Sequence, residues 1–138
     1  MNLNFADTLY FKKENTLEII LGFHRSYKFL QREIQTCCEI NNLTFNELIV
    51  LLEVKKGFKK KIDIANKIFI KKQNLNLILK DLERKNILKL DLKEIIITNK
   101  GIDLIDKTTN RVNEKIIKIF KKTDPKNMSG FINIIESI

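Results

Sequence analysis

The sequence predicts a mainly α-helical fold with one small β-hairpin, an α+β class in a single domain spanning residues 1–138. Three observations predict it. Apolar residues recur at spacings of 3 and 4 over most of the chain, the period of an amphipathic helix. Two short apolar runs, 87–90 and 94–98, are separated by a charged break and fit paired strands better than a helix. Breaking residues stand between the periodic stretches, at Asn41-Asn42, Gly57, Asn86 and Asp124-Pro125.

Each element follows from its own residues. Residues 1–14 are weakly patterned, but Leu3, Phe5, Leu9, Tyr10 and Phe11 are too apolar for a free tail and predict a short packed turn or helix. From Asn15 a long helix runs to about Glu39, carried by Leu17, Ile20, Leu21, His24, Tyr27, Leu30, Ile34 and Cys38. Such a helix is about 35 Å long at about 1.5 Å per residue, more than a domain this size needs internally, so a second subunit is expected against it. Thr44, with Glu47 three residues later, reads as a capping box for a buried helix built on Phe45, Leu48, Ile49, Leu51 and Leu52. Gly57 stands where that helix needs a left-handed stop.

A helix over 61–68, a short turn and a second helix over 71–85 come next. Ile62, Ala65 and Ile68 are read as the inner face of the first helix, and Ile70, Leu75, Leu79 and Leu82 as that of the second. Asn86 supplies the left-handed end. The strands 87–90 and 94–98 fold around Asp91-Leu92-Lys93 as a tight hairpin. Thr98 caps a long helix over 99–122 with a stripe of Ile102, Ile105, Val112, Ile116, Ile119 and Phe120. Asp124-Pro125 is a cap followed by proline at the first helical position, opening a last helix to about Ser137. Its Phe131, Ile134, Ile135 and Ile138 are too apolar to stay wet. Residues 41–98 thus read as a winged helix-turn-helix, with 1–40 and 99–138 as a helical dimerisation layer.

Charge points to the partner. The formal net charge is +9 and the pI about 9.6, which favours polyanions, nucleic acid first. Lys55, Lys56, Lys59, Lys60, Lys61, Lys67, Lys71 and Lys72 stand against a single acid, Asp63. A solvated surface is the plain alternative for such a run, but this one flanks the places where a helix-turn-helix meets phosphate. Lys60, Lys61, Lys71, Lys72, Lys89 and Lys93 are the expected phosphate contacts on double-stranded DNA. Gln73, Asn74, Asn76 and Lys80 lie on the outer face of the second helix and are the expected base contacts, since Gln and Asn pair with adenine and Lys reaches guanine. Only Phe58 and Phe69 lie near the run, which argues against a stacking platform for single strands.

Other chemistry is thinly supplied. One histidine, one adjacent cysteine pair and four glycines are too few for a catalytic triad, a metal site of several ligands or a phosphate-binding loop, so no enzyme and no cofactor is expected. His24 reads as a packed structural residue. Cys37 and Cys38 are candidates for a redox switch, with structural packing the alternative. No run of apolar residues is long enough to span a membrane, and the N-terminus lacks a secretory pattern. A cytoplasmic protein is expected, and the bias towards Lys, Ile and Asn suggests AT-rich bacterial codons.

At the level of motifs the chain resembles the multiple-antibiotic-resistance-regulator (MarR) family over about residues 16–138. Leu43-Thr44-Phe45-Asn46-Glu47-Leu48 is similar to the start of that family's second helix. Ile62-Asp63-Ile64-Ala65-Asn66-Lys67-Ile68 is similar to its L-A-x-x-L helix, and Leu82-Glu83-Arg84-Lys85-Asn86-Ile87-Leu88 to its L-E-x-K-G-L-I segment. Ile97-Thr98-Asn99-Lys100-Gly101 is similar to the L-T-x-x-G that opens the helix after the wing. The resemblance implies a homodimer whose terminal helices interlock and whose two recognition helices meet a pseudo-palindromic site. It also implies relief of repression by a small phenolic ligand or by cysteine oxidation. The chain departs from the pattern at Asp91-Leu92-Lys93-Glu94, where a longer wing with an arginine is usual, at Lys71 in place of Ser or Thr, and at Leu77 in place of Arg. A winged helix kept as a protein-protein interaction module is therefore the alternative expectation.

Overall fold

The structure, a computed structural model, describes residues 13–138. The packed turn or helix expected from Leu3, Phe5, Leu9, Tyr10 and Phe11 lies outside the described residues. Contacts divide the chain into two units, one ending at Phe45 and the other running from Asn46 to Ile138.

The first unit is built on α1, Lys13–Ile40. Its end is set by Asn42, which takes the left-handed conformation at φ 55. The Asn42 N–H then reaches the Glu39 carbonyl at 3.1 Å and the Leu43 N–H reaches the Cys38 carbonyl at 3.0 Å. These two bonds satisfy carbonyls that a helix end leaves open. Cys37, Cys38 and Leu43 are buried here. Gln35 Oε1 accepts the Phe45 N–H at 2.7 Å. Most of α1 before Leu30 is exposed, including Leu17, Ile20, Phe23 and Tyr27. His24 is exposed too, so the packed role expected for it is not met in the described chain.

The second unit carries α2 (Phe45–Lys55), α3 (Lys61–Lys67), α4 (Lys72–Arg84), the hairpin β1 (Leu88–Asp91) and β2 (Glu94–Ile97), then α5 (Asn99–Phe120) and α6 (Pro125–Ser137). Three helix ends in it repeat the device that closes α1. Gly57 (φ 111), Phe69 (φ 59) and Asn86 (φ 62) each adopt positive φ two residues past the end of a helix. The following amides of Phe58, Ile70 and Ile87 return to the carbonyls of Glu53, Ala65 and Leu82. Gly57 and Asn86 are residues suited to that conformation, and Phe69 is not.

The core comprises Leu48, Val50 and Leu51 of α2, Ile64 and Ala65 of α3, Leu75, Leu79 and Leu82 of α4, and Leu88, Ile95 and Ile105 beyond it. Each such aliphatic side chain contributes about 1.5–3 kcal/mol when fully buried. The inner face of α3 is one residue off the expected set: Ile64 is buried and Ile62 is 52% exposed. In a helix this short, the turn at Phe69 and the packing of α3 on α4 decide which residues face inward.

The hairpin is antiparallel with Leu88 opposite Ile97, Lys89 opposite Ile96, Leu90 opposite Ile95 and Asp91 opposite Glu94. Its loop is therefore only Leu92-Lys93, shorter than the expected three residues. Leu92 takes φ 48 there. Thr98 then joins wing to helix. Its Oγ1 donates towards the Asn86 and Ile87 carbonyls and accepts the Gly101 N–H at 3.1 Å. A Cβ at Gly101 would collide with the Ile87 carbonyl oxygen and lie 2.8 Å from Ile97 Cγ2. This close approach is the physical content of the Thr98 and Gly101 spacing.

One buried ion pair ties the unit together. Lys85 Nζ donates to both oxygens of Glu47, at 2.9 and 3.1 Å. The Glu47 side chain is 4% exposed and that of Lys85 is 24% exposed. Glu47, expected as half of a capping box, thus anchors α2 to the end of α4.

Candidate nucleic-acid interface

The turn between α3 and α4 sets the geometry. Phe69 closes α3 in left-handed backbone, and Lys71 precedes α4 in extended conformation, with φ −71 and ψ 145. Lys71 makes no side-chain cap bond to the helix, and Lys60 makes none to α3. A serine or threonine before α4 would occupy one of its first amides. With lysine there, the amide groups and the positive end of the helix dipole remain available to an anion, and the charges of Lys71 and Lys72 stand beside them.

A cleft of about 620 Å³ opens between this region and the wing. Lys59, Lys60, Lys61, Lys72 and Lys93 line it. Lys59 belonged to the basic run but not to the expected contacts, because only the tertiary fold brings it beside the wing. Among the described residues, none of these five lysines, nor Lys71, forms an ion pair. Lysines that are neutralised, Lys55 with Asp106, Lys85 with Glu47 and Lys107 with Asp103, lie elsewhere.

The expected phosphate contacts therefore divide. Lys60, Lys61, Lys72 and Lys93 meet in the cleft, and Lys71 is exposed at the start of α4. Lys89 does not join them. It is paired with Ile96 on the outer face of the hairpin, whereas Leu90 and Ile95 face the cleft.

The expected base contacts divide as well. Gln73, Asn74 and Lys80 are exposed on α4. Asn76 is not on the outer face: it is half-buried, and its Oδ1 is buried without a hydrogen-bond partner. A side chain one position after the buried Leu75 is turned partly into the unit. Leu77 takes the outward place and is 62% exposed.

The redox expectation meets a physical obstacle. Cys37 is 2% exposed and Cys38 is 0% exposed, and neither is in a disulfide. An oxidant-sensing thiolate needs access and a nearby cation, and burial denies the first. The arrangement fits the packing alternative. Among the described residues no group of three or more histidines, cysteines or acids could hold a metal ion, and no helix is long and apolar enough to cross a membrane.

A basic cleft beside an uncapped helix, with polar side chains on the next turn, is a surface suited to a polyanion. Solved structures share the fold. A MarR family transcriptional regulator from Rhodococcus sp. RHA1 superposes with a TM-score of 0.81 at 15% identity, covering 91% of this chain and 96% of that one. The chain has the MarR-type winged-helix fold. A Mycobacterium tuberculosis MarR family protein in complex with DNA gives a TM-score of 0.71 at 16% identity, over 83% of this chain and 92% of that one. CouR from Rhodococcus jostii RHA1, bound to p-coumaroyl-CoA, gives 0.79 at 16% identity, over 86% and 89%. No family profile and no curated protein matches the sequence. Within this MarR-type fold, α4 is the second helix of the helix-turn-helix and the β1–β2 hairpin is the wing.

Proposed function

We propose that the protein is a transcription regulator that binds double-stranded DNA as a homodimer, with α4 in the major groove. The observation that carries this reading is the gathering of un-neutralised lysines, from Lys59 to Lys93, around the uncapped start of α4. Lys60, Lys61, Lys71, Lys72 and Lys93 hold phosphates, and Lys59 joins them. Gln73, Asn74 and Lys80 read base edges. The DNA complex of the Mycobacterium neighbour supports the use of this fold for duplex binding.

Two apolar surfaces support the dimer. Leu17, Ile20, Phe23 and Tyr27 are 52–58% exposed on α1. Ile117, Ile134, Ile135 and Ile138 are 49–86% exposed on α5 and at the chain's end. Exposed apolar surface on this scale marks an interaction site. A small-molecule effector belongs to the same reading, supported by the ligand bound to CouR.

The test is fluorescence anisotropy of a labelled duplex across a salt series. Affinity should fall steeply, with a slope of about −0.9 per phosphate neutralised. Absence of duplex binding at low salt sinks the proposal. The two-residue wing loop, which carries no arginine, favours the alternative of a protein-binding module. A partner protein that binds with flat salt dependence would establish it.

A further inference from the structure

The outer face of α4 carries one residue that polar base contacts leave without a task. Leu75, Leu79 and Leu82 are buried and mark the inner stripe of the helix. At about 100° per residue, Gln73, Leu77, Lys80 and Arg84 fall opposite that stripe, and all four are exposed. Leu77, at 62%, is the one large apolar side chain of α4 that is exposed. A lone exposed leucine is ordinary on an arbitrary surface. This one stands at the centre of the outward face, one turn past Gln73 and three residues from both Asn74 and Lys80.

We infer that Leu77 reads the 5-methyl group of a thymine in the major groove, and so fixes a T·A pair beside the adenine bound by Gln73 or Asn74. The inference rests on the DNA-binding reading above. A leucine side chain has no donor or acceptor. Pressed against the polar atoms of a base edge, it would strip them of water and return no hydrogen bond, which costs free energy. The thymine methyl is the apolar group that the major groove displays. Leucine against that methyl buries apolar surface on both sides and leaves no polar atom unpaired. An arginine at this place would select guanine, so leucine reverses the preference. Asp81, one turn further on, carries a carboxylate of the kind that accepts from cytosine, but Arg84 engages it at 3.0 Å. Spacing adds a constraint. At about 1.5 Å per residue, Leu77 lies about 6 Å along the axis from Gln73, less than two base-pair steps of about 3.4 Å. The thymine therefore falls within two base pairs of the adenine read by Gln73.

The experiment removes the methyl group alone. The full chain first selects duplexes from a randomised library at low salt. In the selected duplex each thymine is then replaced, one at a time, by deoxyuridine, which keeps the pairing and the O4 acceptor. Affinities are read by fluorescence anisotropy. One thymine in each half-site should respond, with Kd rising about fourfold, the effect of exposing one buried methyl group. It should lie within two base pairs of the pair at which Gln73→Ala relaxes preference. Leu77→Ser, an exposed change that keeps the fold, should bind the thymine and deoxyuridine duplexes equally, at about the affinity that the parent shows for deoxyuridine. Leu77→Met keeps an apolar tip and should retain the difference. A duplex bound equally with thymine and deoxyuridine at every position overturns the inference and leaves the proposed function standing. So does a deoxyuridine effect that persists in Leu77→Ser, or a Leu77→Ser loss that is the same on both duplexes. A chain that selects and binds no duplex overturns the function and this contact together.

Discussion

Lys85 and Glu47 show how much a single residue can carry. The pair is buried, and its ammonium satisfies both carboxylate oxygens. Lys85→Met leaves a desolvated carboxylate with one partner fewer and should lower unfolding free energy by about 3 kcal/mol, as loss of one member of a buried pair does. Urea denaturation measures this, and the added change Glu47→Gln should restore most of the loss. Gly101 is constrained by space instead of charge. Gly101→Ala drives a methyl group into the Ile87 carbonyl and should cost about 2 kcal/mol, the usual scale of overpacking a close contact. Asn76 offers the opposite case. Its buried Oδ1 has no hydrogen bond, so Asn76→Leu should be neutral or stabilising by up to about 1 kcal/mol. The same change should leave DNA sequence preference unaltered, whereas Gln73→Ala should relax it at one base pair with a loss of about 1–3 kcal/mol. Binding of a duplex library by both variants separates them, and equal effects would return Asn76 to the interface.

At the scale of the element, α4 and the wing depend on how they are ended. Lys71 leaves α4 without a side-chain cap, so its first amides and the lysines beside it are open together to an anion. Lys72→Ala should weaken binding to all duplexes alike and reduce the salt slope by about one unit, because one phosphate contact is lost. Lys89→Ala should leave the slope nearly unchanged, because Lys89 lies on the outer hairpin face. A slope that responds equally to both would mean that the wing meets DNA with its other face. The two-residue loop keeps the wing short, so its contribution is expected from Lys93 near the cleft and not from reach into a minor groove.

The whole molecule exposes more large apolar side chains than a lone chain needs, on α1 and again on α5 and α6. Covering them in a dimer would remove that surface from water at about 25 cal/mol per Å². Ile135→Asp places a charge on the exposed apolar face of α6 and should shift the protein towards monomer in sedimentation velocity. Duplex affinity should fall with it, because two linked half-sites bind far more tightly than one. A variant that stays dimeric would take α6 out of the interface.

By itself the sequence determined the succession of elements. Helical spacing, the stops at Gly57 and Asn86, the caps at Thr98 and Asp124 and the paired apolar runs are local signals, and each is read within a few residues of where it acts. The basic character of the interface was legible for the same reason, since eight lysines against one acid need no fold to be seen. Only the tertiary structure decided which of those lysines act together. Lys59 and Lys93 are far apart in sequence and line one cleft, Lys93 from the hairpin loop, while Lys89 within β1 lies on the outer face, because neighbouring side chains alternate across a strand and Leu90 takes the cleft side. It also decided that Ile64 and not Ile62 enters the core, that Asn76 turns partly inward, and that Cys37 and Cys38 are buried. Helical period fixes a stripe only to within a residue. The packing of neighbouring elements chooses which edge of the stripe is covered, and that choice left Ile62 beside the lysines of the cleft.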